Sequence, residues 1–324
     1  DPFRIQGEKP IKFLNKIQQT SFTLNKFVVD VAKQLEERGR TVGKFIPETD
    51  IQDLPNKPLD IDTNEEAKRE YKRKRRDVEN SNRTHIQKCV RTRMTMECVR
   101  KFEVYDKFYL PWSFDYRGRT YPVASFLTPQ DTDFGKSLLR FYEESFVDEV
   151  AVDWLKFHVA TQRGLDKAPM KERIKWTEDN HGIIERIATE PLDYLHEWEN
   201  ADEPFQFLAA CEEYYACVIA CSRHHTGLPI AVDATCSGLQ ILAGLARDAS
   251  TAKLVNVLPS ERPQDAYKVI AEASKSGIPE CLHAVWDRKC TKRTVMTVPY
   301  NAKPFSNRGY IREALADKNV EVDK

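Results

Sequence analysis

Helical periodicity of the apolar residues constrains the fold of this chain more than any other feature of its sequence. In residues 12–38, apolar side chains recur three or four positions apart, which predicts a helix over that range. Residues 45–64 contain three prolines and many Asp and Asn residues, so they predict an extended linker. The helical pattern returns in most of the remaining chain, over residues 64–104, 150–222, 237–247, 263–276 and 288–300.

Two shorter segments predict strands instead. Residues 109–130 are rich in aromatic and β-branched side chains and are broken by Pro and Gly, which is typical of short strands and turns. Residues 228–232 form a compact apolar segment, and we expect a buried strand there that ends at Asp233. The predicted fold class is therefore α+β and predominantly helical, and 324 residues suffice for two or three packed units.

Charge is balanced over the whole chain but not along it. Lys plus Arg and Asp plus Glu both number 50, which argues against nucleic-acid binding through net charge alone. The first half of segment 64–104 is nevertheless strongly basic. This run is either a solvated helix face or a set of contacts to a phosphate backbone. Its cations are Lys68, Arg69, Lys72, Arg73, Lys74, Arg75 and Arg76.

Neither a signal peptide nor a membrane span is indicated by the sequence. No stretch approaches the roughly 20 consecutive apolar residues that a membrane helix needs. The eight cysteines are scattered, mostly within apolar segments, so we expect reduced thiols and a cytoplasm-like compartment. The chain starts without Met or a charged-then-apolar signal pattern, and we expect it to begin inside a longer protein.

Asp233 is the first candidate for chemistry. A carboxylate that follows an apolar segment is costly to bury unless it is paired or bound to a cation. The small residues that follow, up to Gly238, leave room for a ligand. An Asp oxygen beside a backbone carbonyl is also a suitable partial site for Mg²⁺. The alternative is that Asp233 caps the helix predicted from Ser237.

The second candidate is the helix predicted over residues 288–300, where four side chains lie four positions apart. Because four residues of an α-helix turn about 400°, these side chains share one face. Two cations on that face can hold a triphosphate, while a thioether and a phenol ring can pack on a sugar and a base. The alternative is an ordinary amphipathic helix with a basic edge. The four residues are Arg288, Lys292, Met296 and Tyr300, and Pro299 predicts that the last lies at the helix end.

Together, these two segments resemble motifs A and B of the single-subunit RNA polymerases found in phages, mitochondria and plastids. Upstream, residues 115–119 (DYRGR) are similar to the family's DxxGR element. Lys136 lies where a family lysine contacts nucleic acid, and Lys167 lies where one reaches the phosphates of the incoming nucleotide. Residues 54–62 look like the phage branch in particular. The resemblance covers most of residues 12–310, in order and with few insertions.

The resemblance implies the right-hand architecture of a polymerase, with a thumb, a palm and part of the fingers. It implies DNA-directed RNA synthesis from ribonucleoside triphosphates, with a DNA template and an RNA product as partners. It further implies an enzyme of the cytoplasm, of the host cell if phage-encoded, that does not bind membranes and is monomeric when complete. The expected domains are 1–105 (thumb and connecting helices), 106–144 (first part of the palm), 145–223 (helical palm insertion), 224–249 (palm with motif A) and 250–324 (partial fingers with motif B).

The resemblance also implies roles for individual residues. Asp233 and the Ala234 carbonyl would bind catalytic Mg²⁺, of which two ions are expected in the complete enzyme. The catalytic side chains would be Asp233, Lys292 and Tyr300, with Tyr300 stacking near the nucleotide and helping to select ribose. The substrate would be bound by Arg288, Lys292, Lys167, Met296 and Tyr300. Nucleic acid would be contacted at Asp115, Arg117, Gly118, Arg119 and Lys136.

Two features depart from the family pattern. The family's second metal-binding Asp lies in a His-Asp-Ser motif, and this sequence contains no His-Asp pair, so we expect this chain alone not to polymerise. Asn301 replaces the glycine that usually follows the motif B tyrosine. Because Asn tolerates the left-handed backbone conformation, we expect the turn to survive.

Three alternatives remain open. A family A DNA polymerase also uses the four-apart face of motif B, although its third position is usually aromatic where this chain has Met296. A degenerate or split fragment could bind nucleic acid or a partner without catalysis, which the missing second Asp favours. Cys217, Cys221 and His224 could bind zinc, or they could form a buried helix face that precedes a polar turn.

Overall fold

The computed structural model describes residues 7–318 and 320, which divide into two compact units. Unit 1 comprises the described residues up to Asp166 together with Met170–Ile230. Unit 2 comprises Lys167–Pro169 and the described residues from Ala231 onward. The prediction of a predominantly helical α+β fold is confirmed.

Several helices of unit 1 begin at a side chain that accepts a hydrogen bond from a first-turn backbone N–H, as Asn64 and Asp148 do. One π-helical turn, Thr161–Leu165, follows the fifth helix, and another, Tyr215–Ile219, follows the ninth. The helices are α1 (Glu8–Gln18), α2 (Lys26–Glu37), α3 (Glu65–Phe102), α4 (Asp133–Ser137), α5 (Glu149–Ala160), α6 (Met170–Asp179), α7 (His181–Thr189), α8 (Leu195–Trp198) and α9 (Pro204–Tyr214).

The strands of unit 1 are short and pair antiparallel. The first strand lies between two others, and Phe22 is opposite both Phe108 and Phe141. The strands are β1 (Ser21–Leu24), β2 (Phe108–Tyr109), β3 (Trp112–Phe114), β4 (Thr120–Pro122), β5 (Leu139–Phe141), β6 (Ser145–Phe146) and β7 (His225–Thr226). Their pairs are β1 with β2 and β5, β3 with β4, and β6 with β7.

The main hydrophobic core of unit 1 is centred on α9, which packs against α4, α5 and α7. Trp198, Phe205 and Tyr214 are fully buried there, and burial of such side chains contributes roughly 2 kcal/mol each. Glu213 is also fully buried on this helix, and it is ion-paired with Arg140 and Arg223. The pairing is essential, because an isolated buried carboxylate would be strongly destabilising.

Helix α3 is the longest element, with 38 residues. Its buried residues all lie in its C-terminal half, from Cys89 to Val99. Residues 72–77, within the basic run, are all exposed. The solvated face predicted for this run is therefore present, and its accessibility leaves contact with phosphates open.

Unit 2 contains five α-helices within residues 231–318. Its helices α13 and α12 pack on each other, and α14 packs on α13. Small apolar clusters stabilise them, one around Cys236, Val255 and Tyr267 and another around Trp286 and Leu315. The helices are α10 (Ser237–Ala246), α11 (Ala249–Leu254), α12 (Ala266–Ser274), α13 (Arg288–Thr297) and α14 (Pro304–Ala316).

Two expectations about secondary structure are wrong. The helix predicted over residues 12–38 is interrupted by β1, which pairs with strands far along the sequence that local periodicity cannot reveal. Residues 228–232 do not form a strand, and Val232 is 74% exposed. A strand needs a partner for its backbone groups, and no described residue supplies a ladder there.

Among residues 7–318 and 320, no helix is both long enough and apolar enough to cross a membrane. All eight cysteines are free, in agreement with the expectation of reduced thiols. Four of them are buried, whereas Cys221 and Cys281 are exposed.

Candidate nucleotide and metal site

Helix α13 presents the four-apart face that the sequence predicts. Lys292 and Met296 are exposed, while Cys290 and Thr291 on the other side are buried. The helix ends at Thr297 and continues as a short 3₁₀ turn, Val298–Tyr300, as Pro299 predicts. Tyr300 is 61% exposed at this turn.

Asn301 has the left-handed conformation, with φ of 64°. The backbone N–H of Asn301 donates to the Val298 carbonyl, and that of Ala302 donates to Thr297. The turn expected to survive without glycine is therefore present, which confirms that prediction.

Arg288, at the start of α13, is held by two residues of the preceding helix. Its Nε atom donates to Asp265 Oδ2 at 2.6 Å, and its guanidinium carbon lies 5.2 Å from the centre of the Tyr267 ring. Burial would raise the pKa of Asp265, but the hydrogen bonds from Arg288 and from the Lys268 backbone N–H outweigh it and lower the pKa. Asp265 is thus a carboxylate that orients the Arg288 side chain.

Asp233 lies in an exposed loop that leads into α10. Its Oδ1 atom accepts a hydrogen bond from the Ala234 N–H at 2.8 Å, and Oδ2 has no hydrogen-bond partner in the described part of the chain. The residue before α10 is Cys236, which makes no side-chain cap. Asp233 therefore does not cap this helix, and its carboxylate is accessible.

Tyr267 connects the Asp233 loop to α13. Its hydroxyl donates to the Thr235 carbonyl at 3.4 Å, while its own carbonyl accepts from Thr291 Oγ1 at 2.9 Å. Burial and the nearby Cys236 raise the pKa of Tyr267, so its hydroxyl remains a donor. The carboxylate loop and the cationic helix are consequently tied to the same aromatic side chain within one unit.

The segment that follows Asp233 and the turn at the end of α13 also approach each other at Gly238, in the first turn of α10. A Cβ atom placed there would lie 3.5 Å from the Tyr300 hydroxyl and 3.4 Å from Pro299 Cβ. These are ordinary van der Waals distances. The Tyr300 hydroxyl is therefore close to the helix that follows Asp233.

The surroundings of Asp233 offer few protein ligands for a divalent cation. Within the described ranges, no group of three or more His, Cys, Asp or Glu side chains could hold a metal. Asp233 nevertheless has one carboxylate oxygen without a partner among the described residues, and the next residue, Ala234, carries a backbone carbonyl. This arrangement fits a Mg²⁺ ion that keeps water and substrate phosphates as its other ligands, and it does not fit an all-protein cage.

Asp115 organises the turn between β3 and β4 in unit 1. Its Oδ1 accepts from the backbone N–H groups of Arg117 and Arg119, each at 2.9 Å, and its Oδ2 accepts from the Arg117 guanidinium. Desolvation alone would raise the pKa of the Asp115 carboxyl, but these donors outweigh it and lower the pKa. Gly118 has φ of 78°, a conformation that favours glycine. The turn leaves Arg119 exposed.

Two further predicted lysines are on other segments of the chain. Lys136 is on the short helix α4 of unit 1 and is half-buried. Lys167 is an exposed residue of the segment that groups with unit 2. The zinc alternative is not supported, since Cys217, Cys221 and His224 belong to no possible metal-binding group in the described residues.

Sequence reasoning did not find Asp265, Tyr267, Thr235 or Asn256, all of which contact the candidate site or its loop. A usable signal existed only for Asp265, because an Asp before a helical pattern is a typical N-cap. It does cap α12 through the N–H groups of Tyr267 and Lys268.

Several known proteins are similar to this chain. A family model for DNA-dependent RNA polymerase matches residues 146–324. T7 RNA polymerase of Escherichia phage T7 is 32% identical, over 97% of this chain and 39% of that protein. DNA-directed RNA polymerase of Enterobacteria phage T3 is 31% identical over 94% of this chain and 38% of its own length. DNA-directed RNA polymerase 1, mitochondrial, of Arabidopsis thaliana is 29% identical over 98% of this chain and 34% of its own. The chain therefore spans just over a third of these relatives.

Proposed function

Because this chain belongs to the DNA-dependent RNA polymerase family, we propose that it supplies part of the active site for template-directed RNA synthesis from ribonucleoside triphosphates. The observation that carries the proposal is the joining of the Asp233 loop and the α13 face through Tyr267 within one unit. An accessible carboxylate and a row of cations are the two elements that phosphoryl transfer needs, since the reaction must bind a metal and neutralise a triphosphate.

In this proposal, Asp233 Oδ2 and the Ala234 carbonyl hold Mg²⁺, and the complete enzyme uses two such ions. When bound, the metal stabilises the attacking and leaving oxygens of an in-line displacement at the α-phosphate. The contribution of Asp233 is to place a negative charge at a fixed point, because one of its oxygens is anchored on the Ala234 N–H.

The cations of α13 bind the triphosphate. Lys292 is exposed and makes no ion pair within residues 7–318 and 320, so it can reach a phosphate without giving up a partner. Arg288 is already oriented by Asp265 and offers its remaining N–H groups. Lys167 adds a third cation, and the exposed Met296 and Tyr300 side chains contact the sugar and base. The Tyr300 hydroxyl helps to select ribose in this proposal.

Nucleic acid is bound by unit 1 in this proposal. Arg117 and Arg119 contact phosphates from the turn that Asp115 and Gly118 organise, and Lys136 adds a further cation. The role of Asp115 is therefore to orient the two arginines, because a carboxylate would itself be repelled by phosphate. The exposed basic run of α3 tracks the backbone of the template or the product.

The same proposal includes the expected domains. They are 1–105 as thumb, 106–144 and 224–249 as palm, 145–223 as palm insertion and 250–324 as fingers. The proposal also includes a monomeric state of the complete enzyme, a DNA template and a place in the cytoplasm. Of these assignments, the DNA template is supported by the relative of phage T3 that is named a DNA-directed RNA polymerase.

RNA synthesis by the full-length gene product tests the proposal. We expect the wild type to extend an RNA primer on a DNA template with ribonucleotides in preference to deoxyribonucleotides. Asp233→Asn should lower incorporation by more than about a hundredfold, because even outer-shell partners of a metal contribute 10–100-fold. Asp193→Asn, a change at an exposed aspartate of unit 1, is the matched control. Wild-type activity of Asp233→Asn would refute the assignment.

A further inference from the structure

The hydroxyl of Thr235, two residues after Asp233, uses its full hydrogen-bonding capacity. Oγ1 donates to the Val255 carbonyl at 3.1 Å. It accepts from Gln240 Nε2 and from Asn256 Nδ2, each at 3.2 Å. A hydroxyl has one donor and two acceptor sites, so all three are occupied.

The backbone of Thr235 is fixed as well, because its carbonyl accepts from the Tyr267 hydroxyl. Three separate elements therefore meet at this residue: α10 through Gln240, the end of α11 through Val255 and Asn256, and α12 through Tyr267.

Asn256 is itself rigidly held. It has the left-handed conformation, with φ of 63°. Its side chain pairs with the backbone of Gln264 in both directions, accepting from the N–H at 2.7 Å and donating to the carbonyl at 2.9 Å. The Asn256 amide that holds Thr235 is thus pinned to the segment that leads into α12.

Asp233 has no comparable support of its own. Within the described residues, its carboxylate accepts a hydrogen bond from the N–H of its neighbour Ala234, and the loop is exposed. The position of the carboxylate must therefore be set through the short backbone between Asp233 and Thr235. A carboxylate that binds a catalytic metal must be held to well within 1 Å, since a displacement of about that size can lower a rate by a hundredfold.

We propose that Thr235 is a positioning residue whose hydroxyl, held by Gln240, Val255 and Asn256, fixes the Asp233 carboxylate for metal binding and phosphoryl transfer. The inference rests on the proposed function, because it assigns a purpose to the Asp233 position. It adds residues outside the predicted site to the set that determines the rate.

The test compares Thr235→Val with Thr235→Ser in the full-length gene product. Valine has the shape of threonine but none of the three hydrogen bonds, whereas serine keeps them all. Thr189→Val is a matched control, since Thr189 is an exposed threonine of unit 1 with one hydrogen bond to its own helix. The measurements are kcat and KM for ribonucleotide, the Mg²⁺ dependence, and hydrogen–deuterium exchange of peptides covering residues 231–238 without metal.

For Thr235→Val we expect kcat to fall about tenfold to a hundredfold, as for other groups that orient metal ligands, and the Mg²⁺ midpoint to rise. KM for the nucleotide should change less than about threefold, because Arg288 and Lys292 are untouched. Exchange in the 231–238 peptides should be faster than in the wild type. Thr235→Ser and Thr189→Val should match the wild type in all four measurements.

The inference is overturned if Thr235→Val keeps wild-type kcat and exchange, or if serine is as damaging as valine. Should Thr235→Val not fold, Thr235→Ala carries the same comparison with serine, because alanine also removes the hydroxyl and its three hydrogen bonds. Failure of the proposed function gives a different result: Asp233→Asn would remain active, while the exchange difference between valine and serine would persist.

Discussion

His158 offers a quantitative test of how unit 1 is built. It lies on α5 and is only 3% exposed, and its Nδ1 is 3.3 Å from Gln162 Nε2. Burial lowers the pKa of His158 from its ordinary 6.5 to about 4. The imidazole is therefore neutral in the folded protein at pH values where it is protonated in the unfolded chain.

The sign and size of the effect follow from linkage between protonation and folding. A lowered pKa in the folded state contributes stability that is fully present above pH 6.5 and is lost as the pH falls towards 4. A difference of about 2.5 units at 1.36 kcal/mol per unit corresponds to about 3 kcal/mol. That is a large part of the 5–15 kcal/mol typical of a folded domain.

The assay is equilibrium unfolding in urea of the wild type and of His158→Leu between about pH 4 and pH 7. Tryptophan fluorescence reports mainly on unit 1, which contains Trp112, Trp154, Trp176 and Trp198. The difference in free energy of unfolding, wild type minus variant, should fall by about 3 kcal/mol from the upper to the lower pH. A difference that stays constant with pH would refute the reasoning, whatever its absolute size.

Three further predictions concern single residues. Burial raises the pKa of Asp133 from 3.8 to about 6. The protonated carboxyl therefore contributes stability to the fold that is present below pH 3.8 and is lost as the pH rises through 6. Measured against Asp133→Asn, the wild type should lose about 3 kcal/mol of unfolding free energy over that interval, and a flat difference would contradict this. Asn301→Ala should lower the stability of unit 2 by about 1 kcal/mol in thermal unfolding, and Asn301→Gly should not, because alanine resists a positive φ. Gly227→Ala should cost more than about 2 kcal/mol in urea unfolding, since its Cβ would lie 2.3 Å from the Phe141 carbonyl oxygen; wild-type stability would show that the backbone can shift.

Elements whose structure follows from neighbouring residues could be predicted from the sequence. Strands that exist only by pairing with distant segments could not. Helix α13, its end at Pro299 and the left-handed Asn301 were all predicted from local chemistry. Strand β1 was missed because it exists only through β2 and β5. The segment before Asp233 was wrongly predicted as a strand because its apolar composition does not reveal whether a pairing partner exists.

For the candidate site, the family is confirmed, and α13 forms as a helix where the sequence predicts one, whereas Asp233 lies in an exposed loop and not at the end of a buried strand. The roles assigned to individual residues remain predictions. What the sequence could not supply is the set of contacts behind the site. Thr235, Asn256 and Tyr267 are ordinary residues in the sequence, and their connection depends on three helices meeting in space.

Helix α3 has a mechanical consequence that follows from its length and from where it is anchored. At 1.5 Å per residue, the 24 residues before its first buried residue, Cys89, extend about 36 Å. A rotation of about 10° at Cys89 would sweep the tip through about 6 Å, more than the rise of about 3.4 Å per phosphate along one strand of a duplex. The cationic tip therefore lies far from the core that holds Met96 and Val99, and the hydrogen bonds of Asn82 and His85 with residues 50–52 restrict such a swing.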